Sequence, residues 1–403
     1  MFVFRTGPLL LLASGLLLLP AAAVESSFSR EIQPLLAEHC YACHGPDAKT
    51  RESGLRFDLR EVATSELKSG ARAITPGNLE ESELIHRIFS NDPDEMMPPP
   101  DFRKRLSDEG KAKLSNWVKA GANYEQHWAF IPFRKPAVPT VKNGNWSRNP
   151  IDHFILSRLE EQGMKPSPET DRSNLVRRIS LDLRGLPPTI EELRRFGNRP
   201  GATPSPEGDK GGLFSAQEYS LLLETMIDSP HYGERMAQDW LDLARYGDTN
   251  GYHSDSVRDM WLYRDYVIES FNRNKPFDRF IVENMAGDLL PDADDTTRVA
   301  SGFNRCVTFN EEGGADPDEF YVTYAVDRAN TTGQVFLGLT VGCAQCHDHK
   351  YDPISQKEYY QLYAFFNSVD GEIGAGGRSG YHNKPLPPLL KVSTGSHQKK
   401  RKE

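Results

Sequence analysis

Apolar residues fall on helical spacing along most of this chain. Phe28, Ile32, Leu35 and Leu36 make one stripe that runs to Cys40, and a period of 3.6 predicts a helix there. A second helix is expected after Asn78, with Leu84, Ile85, Ile88 and Phe89 on its inner face. A third starts at Ser107 with Asp108 and Glu109 in its first turn, turns Leu114, Trp117 and Val118 inward, and stops at Gly121. Residues 131 to 148 then lose periodicity and collect Pro132, Pro136, Pro139 and Asn143-Gly144-Asn145, the composition of a semi-rigid connector.

Beyond it the helical pattern returns. Asn149 is a cap, Pro150 takes the first helical position, Ile151, Phe154, Ile155 and Leu159 form the stripe and Gly163 is the stop. Leu175, Val176, Ile179 and Leu183 mark a helix ending at Gly185, and Pro187-Pro188-Thr189 starts a short one through Phe196. Residues 197 to 212, rich in Gly, Pro and Ser, read as a surface loop. Later stripes are Tyr219/Leu222/Leu223/Met226, then, after the break at Pro230, Met236/Trp240/Leu243/Ala244, Trp261/Val267/Phe271 and Phe277/Phe280/Ile281. A helix is expected over Thr332–Gly342, and the Ser355/Glu358 capping box opens one dense in aromatics, Tyr359 to Phe366. Gly247–Asp255 and Val299–Asp316 are polar, acidic and turn-rich, as cleft-lining segments are. No stretch alternates long enough to predict a large sheet, so the fold class is mainly α.

The two ends differ from this pattern. Arg5, the apolar run Leu9–Leu19 and Ala21-Ala22-Ala23 have the layout of a signal peptide over residues 1–23, which places the mature start at Val24. The alternative is an uncleaved anchor, but the apolar run is short for a span and ends at Pro20. No later segment is apolar and long enough to cross a bilayer. Residues 376–403 read as a disordered basic tail. The expected order is therefore signal peptide 1–23, a first domain 24–124, a linker 125–148, a helical domain with long irregular loops 149–375, and the tail. Length agrees, since 403 residues predict two or three domains. A net charge of −9 disfavours a nucleic-acid partner or an acidic membrane surface.

Candidate chemistry is concentrated in one short motif. Cys40-Tyr41-Ala42-Cys43-His44 is CxxCH, the pattern of c-type haem attachment. Cysteines at i and i+3 share a helical face, so both sulfurs can join the two vinyl groups of one porphyrin, and the adjacent His44 can bind iron from the proximal side. The motif recurs at Cys343-Ala344-Gln345-Cys346-His347. Two haems c are therefore expected, held by Cys40, Cys43, Cys343 and Cys346, with His44 and His347 on iron. Disulfides within each pair, or a thioredoxin-like dithiol, are the other readings; a disulfide leaves both histidines unexplained, and the βαβ context of thioredoxin is missing. The fifth cysteine, Cys306, reads as a buried structural thiol.

The other face of the first iron needs a ligand. Met97 precedes a run of three prolines, Pro98-Pro99-Pro100, which stiffens the loop presenting it, and a thioether raises the potential relative to a second histidine. Met96 is the fallback, and a methionine merely packed on the ring edge is the plainer reading. His86 is expected to face solvent and His39 to point away from the iron. Three short helices around a porphyrin are the architecture of a small class I cytochrome c. For the second motif no Met-Pro-Pro loop follows; His231, His253 and His349 are the candidates, and an open site is the alternative. A metal site of Asp348, His349 and Asp352 is a minor alternative to plain hydrogen bonding by His349.

The run Ile32-Gln33-Pro34-Leu35-Leu36 through Cys40–Asp47, with Gly54-Leu55-Arg56, Pro76-Gly77, Met97–Pro100 and His127-Trp128-Ala129-Phe130, resembles the planctomycete-type cytochrome c domain. That resemblance implies a His/Met c-haem on Cys40, Cys43, His44 and Met97. Ser229–Arg235, Trp240–Tyr246, Asn310–Gly314 and Cys343–Lys350 resemble the uncharacterised domain that follows it in planctomycete secreted proteins. Relatives usually continue into a further large domain, so the Lys/Arg-rich stretch His397–Glu403 leads to the expectation of a truncated or split gene product.

Three functions follow as expectations. The first is a periplasmic or secreted cytochrome module that exchanges electrons with a redox partner protein. The second is a secreted haem enzyme, either dihaem peroxidase-like or acting on a polysaccharide through Asp248, Asp255, Glu311, Glu312 and Asp327. The third is a docking role at a cell-surface polymer, with haem as a redox group or a staple. Whether the chain is an enzyme stays open at this point.

Overall fold

The computed structural model describes residues 27–197, 214–252, 255–369 and 389–392. The expected signal peptide, the 197–212 loop from residue 198 onward, His253 and most of the basic tail lie outside them. The described residues are mainly helical and contain isolated bridges but no β-strand, as the periodicity implies. They fall into two compact units: residues up to Ile131 together with the short loop Lys350–Pro353, and the remainder from Pro132.

The first unit is built from a π-helical turn, Phe28–Ile32, continuing into α1 (Gln33–His39), then α2 (Tyr41–His44), α3 (Arg60–Ala63), α4 (Glu83–Phe89) and α5 (Asp108–Lys119). Helix α5 follows its sequence signals closely. The Ser107 hydroxyl accepts from the Gly110 amide at 3.1 Å, satisfying one of the orphan donors of the first turn. Gly121, with φ at 106°, takes the left-handed turn just beyond the helix. Leu114, Trp117 and Val118 are buried against Phe28, Ile32 and Leu36. Trp117 packs on Phe28 (5.7 Å between centroids) and donates its indole N–H to the Asn123 carbonyl at 2.9 Å.

Two expectations about α4 change. It starts at Glu83, because the Asn78 side chain caps a separate turn, accepting from the Glu80 and Glu81 amides. Leu84 and Ile88 are buried and Ile85 is half-buried, but Phe89, the last residue of the helix, is 52% exposed.

The second unit contains α6 (Pro150–Glu161), α7 (Arg172–Arg184), α8 (Ile190–Phe196), α9 (Ala216–Ile227), α10 (Pro230–Ala244), α11 (Trp261–Asn272), α12 (Phe277–Ala286), α13 (Asp295–Ala300), α14 (Pro317–Thr332) and α15 (Gln356–Ala364). Capping boxes at Asn149, Thr189, Ser215 and Ser355 open α6, α8, α9 and α15. Helix α10 packs on α11 and α7, and α7 packs on α9. The α10–α11 approach needs Gly233, where a Cβ would meet the Ile268 carbonyl oxygen at 2.4 Å.

The core of this unit holds polar groups in pairs. Trp240 donates to the Tyr263 hydroxyl (3.0 Å), and Tyr263 donates to Asn284 (2.8 Å). Tyr266 donates to Glu283 at 2.7 Å, and Lys275 and Arg279 also hold that carboxylate. These partners outweigh its burial and lower the Glu283 pKa, as a buried charge requires.

Four expectations for this unit are corrected. Helix α6 is capped as expected, yet Ile151, Phe154 and Ile155 are exposed and Leu156 is the buried residue. Apolar content marks one stripe, whereas the tertiary partners select the neighbouring face. Leu243, Trp261 and Phe277 are likewise exposed. Helix α14 ends at Thr332, and Thr332–Gly342 becomes a π-turn, an irregular stretch and the start of a 3-10 turn. Within the acidic segment, Val299 and Ala300 close α13 and Ser301–Arg305 is a 3-10 turn, so only its second half is irregular.

Candidate haem-attachment site

Helix α1 carries the chain to Cys40, whose φ of −123° breaks the helix before α2 resumes it. The amides of Cys43 and His44 both donate to the Cys40 carbonyl, at 3.2 and 2.8 Å. The two sulfurs and the imidazole are thereby gathered on one short turn. Gly45 must follow: a Cβ there would lie 2.4 Å from the Tyr41 carbonyl oxygen. Returning backbone locks the turn, with the Glu52 amide donating to the Cys43 carbonyl (2.7 Å) and the Phe57 amide to that of His44 (2.9 Å).

Cys40, Cys43 and His44 open on a cavity of about 600 Å³ in the first unit, within the range of small-molecule and cofactor sites. Leu55, Phe57, Leu84, Ile88, Phe102 and Leu106 give it apolar walls, and Met97 and Pro98 lie in the same lining. Burial lowers the pKa of His44, partly opposed by Glu52, so its imidazole is held neutral with a lone pair available. Its Nδ1 is buried without a hydrogen-bond partner. The Phe57 ring meets it edge-on at 5.8 Å. Burial pushes the Cys40 thiol up to about 12, with the nearby Cys43 adding to it, so Cys40 is not a nucleophile on its own account.

The structure separates the two methionines. Met97 faces the cavity, while the Met96 sulfur accepts from Arg105 Nη1 at 3.6 Å. His86 is exposed and its ring bonds the Glu80 carbonyl at 2.6 Å. The His39 ring bonds the Lys104 carbonyl at 3.3 Å, and the residue also borders the cavity. These features fit a c-type haem. They supply paired sulfurs, a neutral imidazole, apolar walls and a thioether in one cavity. Gly45, Phe57, Arg87 and Arg105 were not legible as site residues; only Gly45, directly after CxxCH, carries a signal in the sequence.

The second motif is set differently. Val341–Gln345 is a 3-10 turn, and Cys343, Cys346 and His347 are exposed. The His347 Nδ1 donates to the Asp348 carbonyl at 2.8 Å, which leaves Nε2 as the free lone pair. Helix α15 is stitched to this turn: Gln356 and Tyr360 both donate to the Gln345 carbonyl, and the Gln356 amide to Asp348. Tyr359 is buried, whereas Tyr360 and Phe365 are exposed. His349 is buried, with its ring 3.3 Å from Thr340 Oγ1. His231 is half-buried and pairs with Glu234 at 2.7 Å. Asp352, in the loop that belongs to the first unit, pairs with His127 at 3.0 Å. Among the described residues no group of three His, Cys, Asp or Glu side chains is placed to hold a metal ion.

Four of the five acidic candidates of the second unit, Asp248, Asp255, Glu311 and Asp327, are engaged by nearby donors. Asp248 accepts from the Tyr246 hydroxyl (2.6 Å), Asp255 from the Gly251 amide (2.7 Å) and Glu311 from the Ser256 amide (3.1 Å), and Asp327 pairs with Arg245. Hydroxyl and amide donors lower the Asp255 pKa, the opposite of what a general acid needs. Cys306 is buried and its thiol is pushed up to about 12 by burial, in spite of three nearby arginines, which makes it an unreactive core residue.

A few short helices around an apolar cavity, with CxxCH on one turn and a Met-Pro-Pro loop in the same lining, are the features of a small c-type cytochrome. Residues 40–101 match the Planctomycete cytochrome C family (PSCyt1), which implies covalent haem c. Residues 150–371, over half the chain, match PSCyt2, a protein of unknown function (DUF1549), and the chain belongs to that family. No curated protein and no solved structure matches it.

Proposed function

We propose that this protein is an exported electron-transfer module that carries two covalent haems c, one on Cys40 and Cys43 and one on Cys343 and Cys346. The observation that supports it most is the single cavity bringing together Cys40, Cys43, His44 and Met97. Haem iron supplies reversible one-electron chemistry when bound. The chain's own part is to hold the ring and tune it. His44 offers a neutral imidazole, Met97 a thioether that favours the reduced state, and the apolar walls exclude water and raise the cost of the extra charge on oxidised iron.

The second motif supplies Cys343, Cys346 and His347, with the Asp348 carbonyl fixing the histidine tautomer. Its exposure suits exchange with a redox partner protein. The net charge of −9 favours a cationic partner surface over nucleic acid. Export to the periplasm or beyond agrees with the N-terminal sequence; among the described residues no helix is long and apolar enough to cross a membrane.

A redox titration of holoprotein, matured in a host competent for c-haem attachment, tests the reading. Two one-electron transitions are expected, the higher of them falling in Met97→Ala together with loss of the methionine-ligation spectrum. A single transition contradicts the second haem; a Met97→Ala protein with the parent potential and spectrum contradicts the His/Met pair.

A further inference from the structure

The loop that carries the two adjacent methionines is pinned at both ends by arginines. On one side, the Arg87 carbonyl accepts from the Met97 amide at 2.9 Å, and the Arg87 guanidinium reaches the Glu95 carbonyl at 3.4 Å while bonding Glu83 at 3.1 Å. On the other side, Arg105 donates to the Pro100 carbonyl at 3.0 Å and to the Met96 sulfur at 3.6 Å. The two side chains thus hold residues 95, 96 and 100, bracketing Met97, which faces the cavity.

Proline cannot donate a backbone hydrogen bond, so Pro98, Pro99 and Pro100 contribute no amide to fasten the loop. The Met96 amide donates to the Asp92 carbonyl at 2.8 Å and the Pro99 carbonyl accepts from the Phe102 amide at 3.0 Å, so what is left for side chains to hold is the Glu95 and Pro100 carbonyls and the Met96 sulfur, and carbonyls call for cationic or N–H donors. Guanidinium groups, with five N–H donors in a rigid fork, meet that need better than an ammonium.

We propose that Arg87 and Arg105 form a clamp that holds the Met96–Pro100 turn closed with the Met97 thioether toward the iron and the Met96 thioether away from it. They are positioning residues that act through the loop: Arg105 lies outside the cavity lining, while Arg87 also borders the cavity, so imidazole competition rather than the potential alone reads the clamp at that position. The proposal rests on the reading of Met97 as an axial ligand. Its physical content is the opening equilibrium of the loop. Weakening any tie of the closed state raises the fraction of time that Met97 is detached, and an outside ligand then binds iron more readily by that same factor.

The test is competition by free imidazole on the ferric holoprotein, read from its spectrum, alongside the midpoint potential and the haem mass per chain. Arg87→Met and Arg105→Met are each expected to tighten imidazole binding by about three- to tenfold, the worth of a partly exposed charged hydrogen bond. The double variant should approach the product of the two, and Arg87→Lys should fall between Arg87→Met and the parent. The potential of the first haem should fall in the same order while its covalent mass stays unchanged. If Arg87→Met does not mature, Arg87→Lys and Arg105→Met carry the test.

Met97→Ala separates the two layers. Should Met97→Ala tighten imidazole binding while the arginine variants match the parent, the clamp is refuted and the ligand reading stands. Should Met97→Ala itself match the parent, the ligand reading fails and the clamp falls with it.

Discussion

The same five-residue pattern sits in two unlike settings. At Cys40–His44 it closes a helical turn, is locked by backbone bonds from Glu52 and Phe57, and opens on a large apolar cavity. At Cys343–His347 it lies on a 3-10 turn with both sulfurs and the imidazole exposed. In the first, His44 Nδ1 is buried without a partner and burial depresses the ring pKa; in the second, His347 Nδ1 is already bonded to Asp348. The same motif is therefore held in a core-like setting in the first unit and at a surface in the second, and on the proposed two-haem reading the surrounding chain decides how deeply each porphyrin is buried.

That contrast can be broken most directly at the cysteines. Replacing Cys40 and Cys43 together by alanine should cost the first unit on the order of 5 kcal/mol, because an apolar cavity of this size is left without its filling. Replacing Cys343 and Cys346 should remove the proposed second porphyrin yet cost the holoprotein much less, on the order of 1 kcal/mol, since both sulfurs are exposed. Denaturant unfolding of the two apo- and holoproteins gives both numbers. Equal losses would mean that the two settings are alike after all.

Trp117→Ala sharpens the same comparison from the core side. It should destabilise the first unit by about 3–5 kcal/mol, because Phe28 and Tyr124 no longer have the indole to pack on. The melting transition of the second unit should stay in place, which calorimetry can follow. Gly233→Ala is the reciprocal probe, expected to lower the second unit alone by about 1–3 kcal/mol as the new methyl displaces α11 from α10. The smallest effect is at the Ser107 cap, where Ser107→Ala should cost about 1 kcal/mol and lower the helical signal of α5 locally.

Local chemistry was legible in the sequence wherever a side chain acts on its own backbone. Asn149, Thr189 and Ser355 cap the helices that their patterns announce, and Gly121 and Gly185 stop theirs. Burial was less legible, because it depends on which neighbour arrives. Ile151, Phe154 and Ile155 look like an inner stripe, but Leu156 is the residue turned inward. Phe89 fails in the same way at the frayed end of α4.

At the site, the cysteines, His44 and Met97 could be named from spacing and from the proline run. The preference for Met97 over Met96 came from its place before the prolines; the Arg105 hydrogen bond to the Met96 sulfur and the anchoring by Arg87, which spans eight to ten residues, have no pattern to mark them. The partners of Asp248, Asp255 and Asp327 were hidden for the same reason, since acidic composition does not reveal the donors that engage each carboxylate.

Peptide mapping by mass spectrometry of holoprotein from a host with c-haem maturation machinery tests the central claim most directly. The peptide containing Cys40, Cys43 and His44 is predicted to carry the mass of one porphyrin with both thiols consumed. A peptide of bare mass, with its two cysteines free or joined to each other, would contradict it.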